Sequence, residues 1–304
     1  MRIQAVAFFT LALFASPLVF AADTVAFAIA DNTTGFILDS AAPAKKVQIG
    51  SLTKIATAMV VYDWAEAKKE DLGQVATVPQ SAANLSTQGG LGLTPGDHCS
   101  LRDLLYAALL QSDNAAAETL ADHVGRALDG TGTPGFIKQM NALARTQNMI
   151  NTRFVNPHGL DEVKPFGYST AEDMAKLTGY AMKNPGFRFV VSQKERKIGF
   201  QTAAGEESQY LLRNTNELLG VNGIDGVKTG QTKRAGSCVI VSSAKAPLSQ
   251  QQGDQVLVTP RRLNVVVLGS NDRFGVANGL VQRGWQLYDQ WAAAGRPPKW
   301  KATH

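Results

Sequence analysis

Three short groups of residues in this chain could together carry acyl-transfer chemistry. Ser51-Leu52-Thr53-Lys54 places a hydroxyl and an amine three positions apart at the start of an apolar run. A serine hydroxyl is a poor nucleophile until a base takes its proton. Residues i and i+3 are neighbours on a helix, so Lys54 can reach Ser51 without help from a mobile loop. A lysine acts as a base only when neutral, and burial or a second positive charge lowers its pKa. Lys228, in Lys228-Thr229-Gly230, could supply that charge. Thr229, backed by Lys228, can bind a carboxylate. The backbone N–H groups of Ser51 and of Gln231, which follows Gly230, would form an oxyanion hole, and the helix N-terminus favours negative charge developing at Ser51. Between these groups lies Ser112-Asp113-Asn114. Ser112 can pass a proton towards a leaving amine, and Asn114 can hold a substrate amide. Each group alone has a simpler reading as a helix cap, a link between helices, or a strand end with its turn. Ser242 to Lys245 also satisfies Ser-x-x-Lys at the end of a strand-like run. What carries weight is the occurrence of all three groups in order, each on a suitable element.

Those elements follow from the periodicity. Residues 24–38 read as two strands around an Asn-Thr-Thr-Gly turn. Residues 51–68 read as a helix with Ile55, Ala58, Met59 and Tyr62 on one face. Residues 70–100 read as turn-rich. Helices are predicted over 100–110, 114–128, 133–149 and 169–184, the last opened by Ser169 with Glu172 three residues later. Strands are predicted over 187–200, 208–213, 224–231, 236–244, 256–258 and 263–269, with a polar hairpin tip at 250–254. An amphipathic helix over 272–292 follows, and residues 293–304 read as a disordered or linker-like tail. A lone hairpin is marginal, so the N- and C-terminal strands must pair into one sheet. The expected fold is α/β (α+β): an antiparallel sheet with flanking helices and an inserted helical subdomain over about 70–185. The catalytic domain spans 22–292.

The rest of the sequence limits what else the chain could be. Of 304 residues, 44% are hydrophobic and 18% charged, and the net charge of +5 is dispersed. The tightest basic clusters, Lys45-Lys46 and Arg261-Arg262, are too small for a nucleic-acid stripe. A positive Met1-Arg2 start, an apolar run to Phe20 and small residues at positions 19 and 21 read as a secretory signal peptide, residues 1–21. The expected product is a secreted or periplasmic protein without a stable membrane anchor. Cys99 and Cys238 read as two buried thiols rather than a disulfide, since Cys238 lies in an apolar strand-like run. The four histidines are scattered, so neither a metal nor another cofactor is expected. Gly130-Thr131-Gly132-Thr133-Pro134-Gly135 fits G-x-G-x-x-G but follows a helix and contains a proline, so it reads as a link between helices.

With the three groups in order, and with "NTTGFILDS", "LRDLLYAALLQSDNAAAETLA", "FVNPHGLDE", "RNTNELL", "GIDGVKTGQTKRAGSCVIVSSA" and "LNVVVLGS", the chain resembles low-molecular-mass penicillin-binding proteins, the serine D-alanyl-D-alanine carboxypeptidases and endopeptidases. The resemblance implies a β-lactamase/transpeptidase-like fold, with the active site in the cleft between the sheet and the helical insertion, and an acyl-enzyme on Ser51. It implies substrates among peptidoglycan stem peptides, either D-Ala-D-Ala termini or D-amino-acid cross-links, and trapping by β-lactam antibiotics. It places Arg213 and Arg273 near the carboxylate end of the cleft, and it leaves His158 as a loop organiser or a deacylation helper. The spelling Ser112-Asp113-Asn114 is shared with class A β-lactamases, so such an enzyme, or a non-catalytic penicillin- or muropeptide-binding protein, stays open as an alternative.

Overall fold

Strand β1 (Ala26–Asp31) alternates small and large residues, and both of its faces are buried. It pairs antiparallel with β2 (Ile37–Ala41) across the predicted turn and, on its other side, with β9 (Gln255–Leu268). Strand β9 pairs with β8 (Gly236–Gln252), and β8 with β7 (Ile224–Thr232), giving a sheet of order β2-β1-β9-β8-β7. The N- and C-terminal strands therefore close one sheet, as the sequence requires. The structure is a computed structural model describing residues 26–85, 90–161, 164–252 and 255–301. The predicted signal peptide lies outside the described residues.

The period of two separates the sheet into two cores. Phe27, Ile29, Val239, Val241, Val265 and Val267 face helix α7 (Arg273–Ala293), which covers them with Leu280, Val281, Trp285 and Tyr288. Ala28, Ile240, Val266 and Leu268 belong to the other core, with helices α1 (Lys54–Lys68) and α5 (Ala171–Ala181). That core continues into α2 (Leu101–Tyr106), α3 (Asn114–Asp129) and α4 (Thr133–Thr146). The fold is thus a mixed α/β structure with an antiparallel sheet flanked by helices and a helical insertion.

Several boundaries differ from the sequence expectation. Residues 187–191 are not strand: α6 (Pro185–Val191) starts there, because the Asn184 side chain accepts the Phe187 N–H and Pro185 suits a first helical turn. The strand starts at β5 (Glu195–Gln201) and pairs with β6 (Glu207–Arg213). These two do not join the main sheet. They form a second sheet with β3 (Val75–Thr77) and β4 (His98–Ser100), two short strands inside the stretch read as turns. Helix α5 is capped by Thr170, whose hydroxyl accepts the Asp173 N–H, rather than by Ser169, which is buried beside Thr152. Strands β8 and β9 run on as a long ribbon that outruns β7 and β1 as far as the Gln252–Gln255 pair, with Leu248, Val256, Leu257 and Val258 exposed, and residues 253 and 254 of the predicted hairpin tip lie outside the described residues. The tail is not loose through residue 301. Trp291 Nε1 donates to the Pro297 carbonyl, Arg296 to Tyr288 Oη, and Trp300 packs on the α7 core.

Leu280 is fully buried between α7 and the sheet. Leu280→Ala should lower unfolding stability by about 2–5 kcal/mol in a urea titration. A loss below about 0.5 kcal/mol would show that α7 does not hold this face of the sheet.

Candidate active site

Ser51 sits in a single 3₁₀ turn, Gly50–Thr53, that runs directly into α1. It is not acting as a cap, since neither the turn nor α1 has a side-chain cap bond. Ser51 is partly exposed, whereas Lys54 below it is fully buried. Lys54 Nζ lies 3.1 Å from Ser51 Oγ, 2.8 Å from Asn114 Oδ1 and 2.8 Å from the His158 carbonyl oxygen. Burial lowers the Lys54 pKa to about 7, against an opposing pull from Asp113. A neutral amine has two protons and one lone pair. The Asn114 and His158 oxygens can only accept, so together they take both protons. The lone pair is then left facing Ser51 Oγ–H, which can donate to it. This is the orientation a base needs.

The local sequence explains why these groups meet. Helix α2 ends in a π-turn, Ala107–Gln111, and Ser112 then takes a left-handed backbone conformation with φ of 65°. That reversal starts α3 at Asn114 and turns Asn114 towards Lys54. Asp113 is occupied structurally: one oxygen accepts the Ala116 N–H as a helix cap, and the other accepts the Leu91 N–H. The loop 155–161 completes the cage. Asn156 Oδ1 accepts the Gly159 N–H, Asn156 Nδ2 donates to the Leu160 carbonyl, and Thr57 Oγ1 donates to the Pro157 carbonyl. His158 itself is buried with its pKa lowered to about 3, chiefly by burial, and its Nδ1 accepts the Leu160 N–H. Its backbone, rather than its imidazole, serves Lys54.

Strand β7 brings the third group. Lys228 is buried and its Nζ donates to the Thr229 carbonyl at 3.0 Å. Its pKa lies well below the ordinary value, first through burial, then through the charges of Lys54 and Arg273. Of the two causes the sequence offers for a lowered Lys54 pKa, burial and a charge such as Lys228, burial is the one that acts here. Gly230 lies so close to the serine turn that a Cβ there would stand 2.8 Å from the Ile49 carbonyl and 3.1 Å from the Leu52 nitrogen. A Cβ on Gly50 would stand 3.2 Å from the Gln231 nitrogen. The Gln231 backbone is thus held against the Ser51 turn. Arg273 is half-buried beside Phe274 and donates to the Gly230 carbonyl at 3.2 Å. Arg213 ends β6 with an exposed side chain, and its backbone N–H donates to Gln111 Oε1.

The competing motif does not form a comparable pair. Ser242 is buried, donates to the Leu263 carbonyl and accepts from Arg262, while Lys245 lies over the Trp285 ring. Cys99 and Cys238 are buried free thiols. Gly130 ends α3 and Gly132 precedes α4, which leaves the G-x-G-x-x-G match a link between helices. Among the described residues there is no cluster of metal-ligating side chains, and no helix is long and apolar enough to cross a membrane. Residue-by-residue reading missed the His158 carbonyl and Thr57. Backbone acceptors carry no side-chain signature, and hydroxyls are common.

Comparison with known proteins agrees with this geometry. The crystal structure of the Streptomyces K15 DD-transpeptidase superposes with a TM-score of 0.72 at 29% identity, covering 87% of this chain and 97% of that one. The fold is therefore of the β-lactamase/transpeptidase class. The peptidase S11 family, D-alanyl-D-alanine carboxypeptidase, matches residues 15–252, and the chain belongs to it. It is 32% identical over 275 residues to the D-alanyl-D-alanine carboxypeptidase DacC of Escherichia coli, covering 88% of this chain and 62% of that protein. It is 34% identical over 219 residues to a D-alanyl-D-alanine endopeptidase of Pseudomonas aeruginosa, covering 70% of this chain and 64% of the relative. The matched stretches thus fall short of two thirds of the length of both relatives.

The 155–161 loop permits one direct test. Gly159 has a φ of +87°, and a Cβ there would stand 2.0 Å from the Gly50 carbonyl oxygen. Gly159→Ala should cost about 2 kcal/mol or more of stability and displace the serine turn. Unchanged stability by thermal melting would contradict the packing of this loop on Gly50.

Proposed function

We propose that this chain is a serine DD-peptidase. Ser51 attacks the carbonyl before the terminal D-alanine, or at a D-amino-acid cross-link, of a peptidoglycan stem peptide. Lys54 takes the hydroxyl proton as the C–O bond forms. The Ser51 and Gln231 N–H groups stabilise the oxyanion. Ser112 carries a proton to the departing amine, Asn114 orients Lys54 and the substrate amide, and the substrate carboxylate binds at Thr229 and Gly230 in the field of Lys228, with Arg273 and Arg213 at that end. Water then releases the acyl group from Ser51. A β-lactam presents a strained amide to the same serine and forms a stable acyl-enzyme. The observation that carries this reading is the 3.1 Å contact of Ser51 Oγ with a buried amine whose other two partners are pure acceptors. Family membership supports the substrate class. The apolar N-terminal run, residues 1–21, supports export to the compartment where peptidoglycan lies.

Ser51→Ala should abolish covalent labelling by a fluorescent penicillin while the far-UV circular dichroism stays unchanged. Labelling that persists on another serine would refute the assignment. Rapid turnover of the penicillin adduct by the unsubstituted protein would mark a β-lactamase instead. Mass analysis of digested muropeptides distinguishes release of terminal D-alanine from cleavage of cross-linked dimers. Binding without either product would point to a non-catalytic module.

The acylation rate should also follow the neutral fraction of Lys54. With its pKa lowered to about 7, that fraction grows as pH rises. The second-order acylation rate should therefore climb roughly tenfold from pH 6 to pH 8. A flat profile, or one that falls with pH, would remove Lys54 as the base.

A further inference from the structure

Cations that are dispersed along the sequence are gathered by the fold at one place. Segments 43–48, 151–156, 161–168 and 231–236 hold Lys45, Lys46, Arg153, Lys164, Lys233 and Arg234, against two acids, Asp161 and Glu162. All of these cations are exposed. Two half-buried rings join them. Lys46 Nζ lies 5.1 Å from the centre of the Tyr168 ring, and the Arg234 guanidinium carbon 4.2 Å from that of Phe166. Arg153 exchanges both backbone hydrogen bonds with Tyr168, at 2.9 and 3.0 Å, which puts the two side chains on one face. Among the described residues none of these cations forms an ion pair. The acids of the neighbouring segments are engaged elsewhere: Asp161 is buried and accepts from Thr232, and Glu172 and Asp173 hold Lys176. Glu162 lies outside the described residues.

The same segments build the active site. Lys46 leads into the Ser51 turn, Arg153 leads into the loop that carries the His158 carbonyl, and Arg234 follows the end of β7. A crevice lined by Gln48, Gly50, Arg153, Gly159 and Tyr168 runs between the cations and the serine turn. A surface field of one sign recruits a partner of the other sign. A lipid surface is one anionic partner, but binding to it also needs apolar side chains that enter the bilayer. Here the two rings are half-buried beside their cations, and the exposed Leu248 lies roughly 40 Å of strand away from the start of β8 at Gly236. We propose that this patch is a second contact for the peptidoglycan polymer: Lys46, Arg153 and Arg234 bind carboxylates of stem peptides that are not being cleaved, and so hold the polymer beside Ser51. This deepens the DD-peptidase reading above and rests on it.

The test is co-sedimentation of the full chain with purified peptidoglycan sacculi, in a Ser51→Ala background so that nothing is cleaved. Binding should weaken as salt is added, as exposed charges require. Adding Lys46→Gln, Arg153→Gln and Arg234→Gln together should weaken it about tenfold at low salt. Capping the sacculus carboxylates as neutral amides should bring the parent down to the same level and change the triple variant little. With Ser51 present, the triple variant should show a raised KM for sacculi, while its acylation by benzylpenicillin stays within about twofold of the parent. Unchanged sedimentation of the triple variant, or a loss that carboxylate capping does not reproduce, would overturn the proposal. Tighter binding to phosphatidylglycerol vesicles than to sacculi, lost in the triple variant, would assign the patch to a membrane instead. A parallel fall in penicillin acylation would make the three cations supports of the Ser51 turn, which also overturns it. Failure of penicillin to acylate the unsubstituted protein would overturn the Ser51 reading, and it is distinguishable because sedimentation needs no acylation.

Discussion

The structure depends on one enclosed amine. Lys54 sits where its charged form loses hydration, and the protein offers three oxygen atoms in place of water. Two of those oxygens have no proton to give. The third belongs to Ser51. Burial favours the neutral amine, and the two acceptors determine which way its lone pair points. Removing the ammonium from water costs the folded state several kcal/mol at neutral pH, because its pKa falls from 10.5 to about 7. This is the kind of local strain in stability that active sites hold and cores do not.

The surrounding architecture serves to place those three oxygens. Each comes from a different stretch of chain: the turn before α1, the start of α3, and the loop 155–161. None of the three could be fixed by local structure alone. The shared core beneath α1 and α3 sets two of them, and the Asn156 bonds with the close approach of Gly159 to Gly50 set the third. Strand β7 then closes the site from the sheet side. Asp161 accepts from Thr232 at the end of β7, which ties the same loop to that strand. Thr229 and the amine cage are in this way tied together through one strand and one loop.

Much of this was readable from sequence. The sheet closing through β1 and β9 follows from strand patterns at both ends of the chain and from the instability of a lone hairpin. The order of the three motifs, and the way Ser51 and Lys54 neighbour one another, follow from helical spacing. Other features were hidden for definable reasons. Residues 187–191 are as apolar as a strand, and only the Asn184-Pro185 start marks them as a helix. Strands β3 and β4 have three residues each, too short for a period to show. The ribbon beyond Ala244 pairs only with itself, so its sequence carries no signal of a buried face. The role of His158 could not be read because its contribution is a carbonyl, which every residue possesses.

The direct measurement is the titration of the Lys54 amine itself. In protein carrying ¹³C-labelled lysine, the ε-carbon resonance of Lys54 can be assigned by its loss in Lys54→Arg and followed against pH by NMR. The account predicts a midpoint near 7, set by burial. A Lys54 that stays charged up to the ordinary lysine range of about 10.4 would contradict it, since no neutral amine would then be present to receive the serine proton.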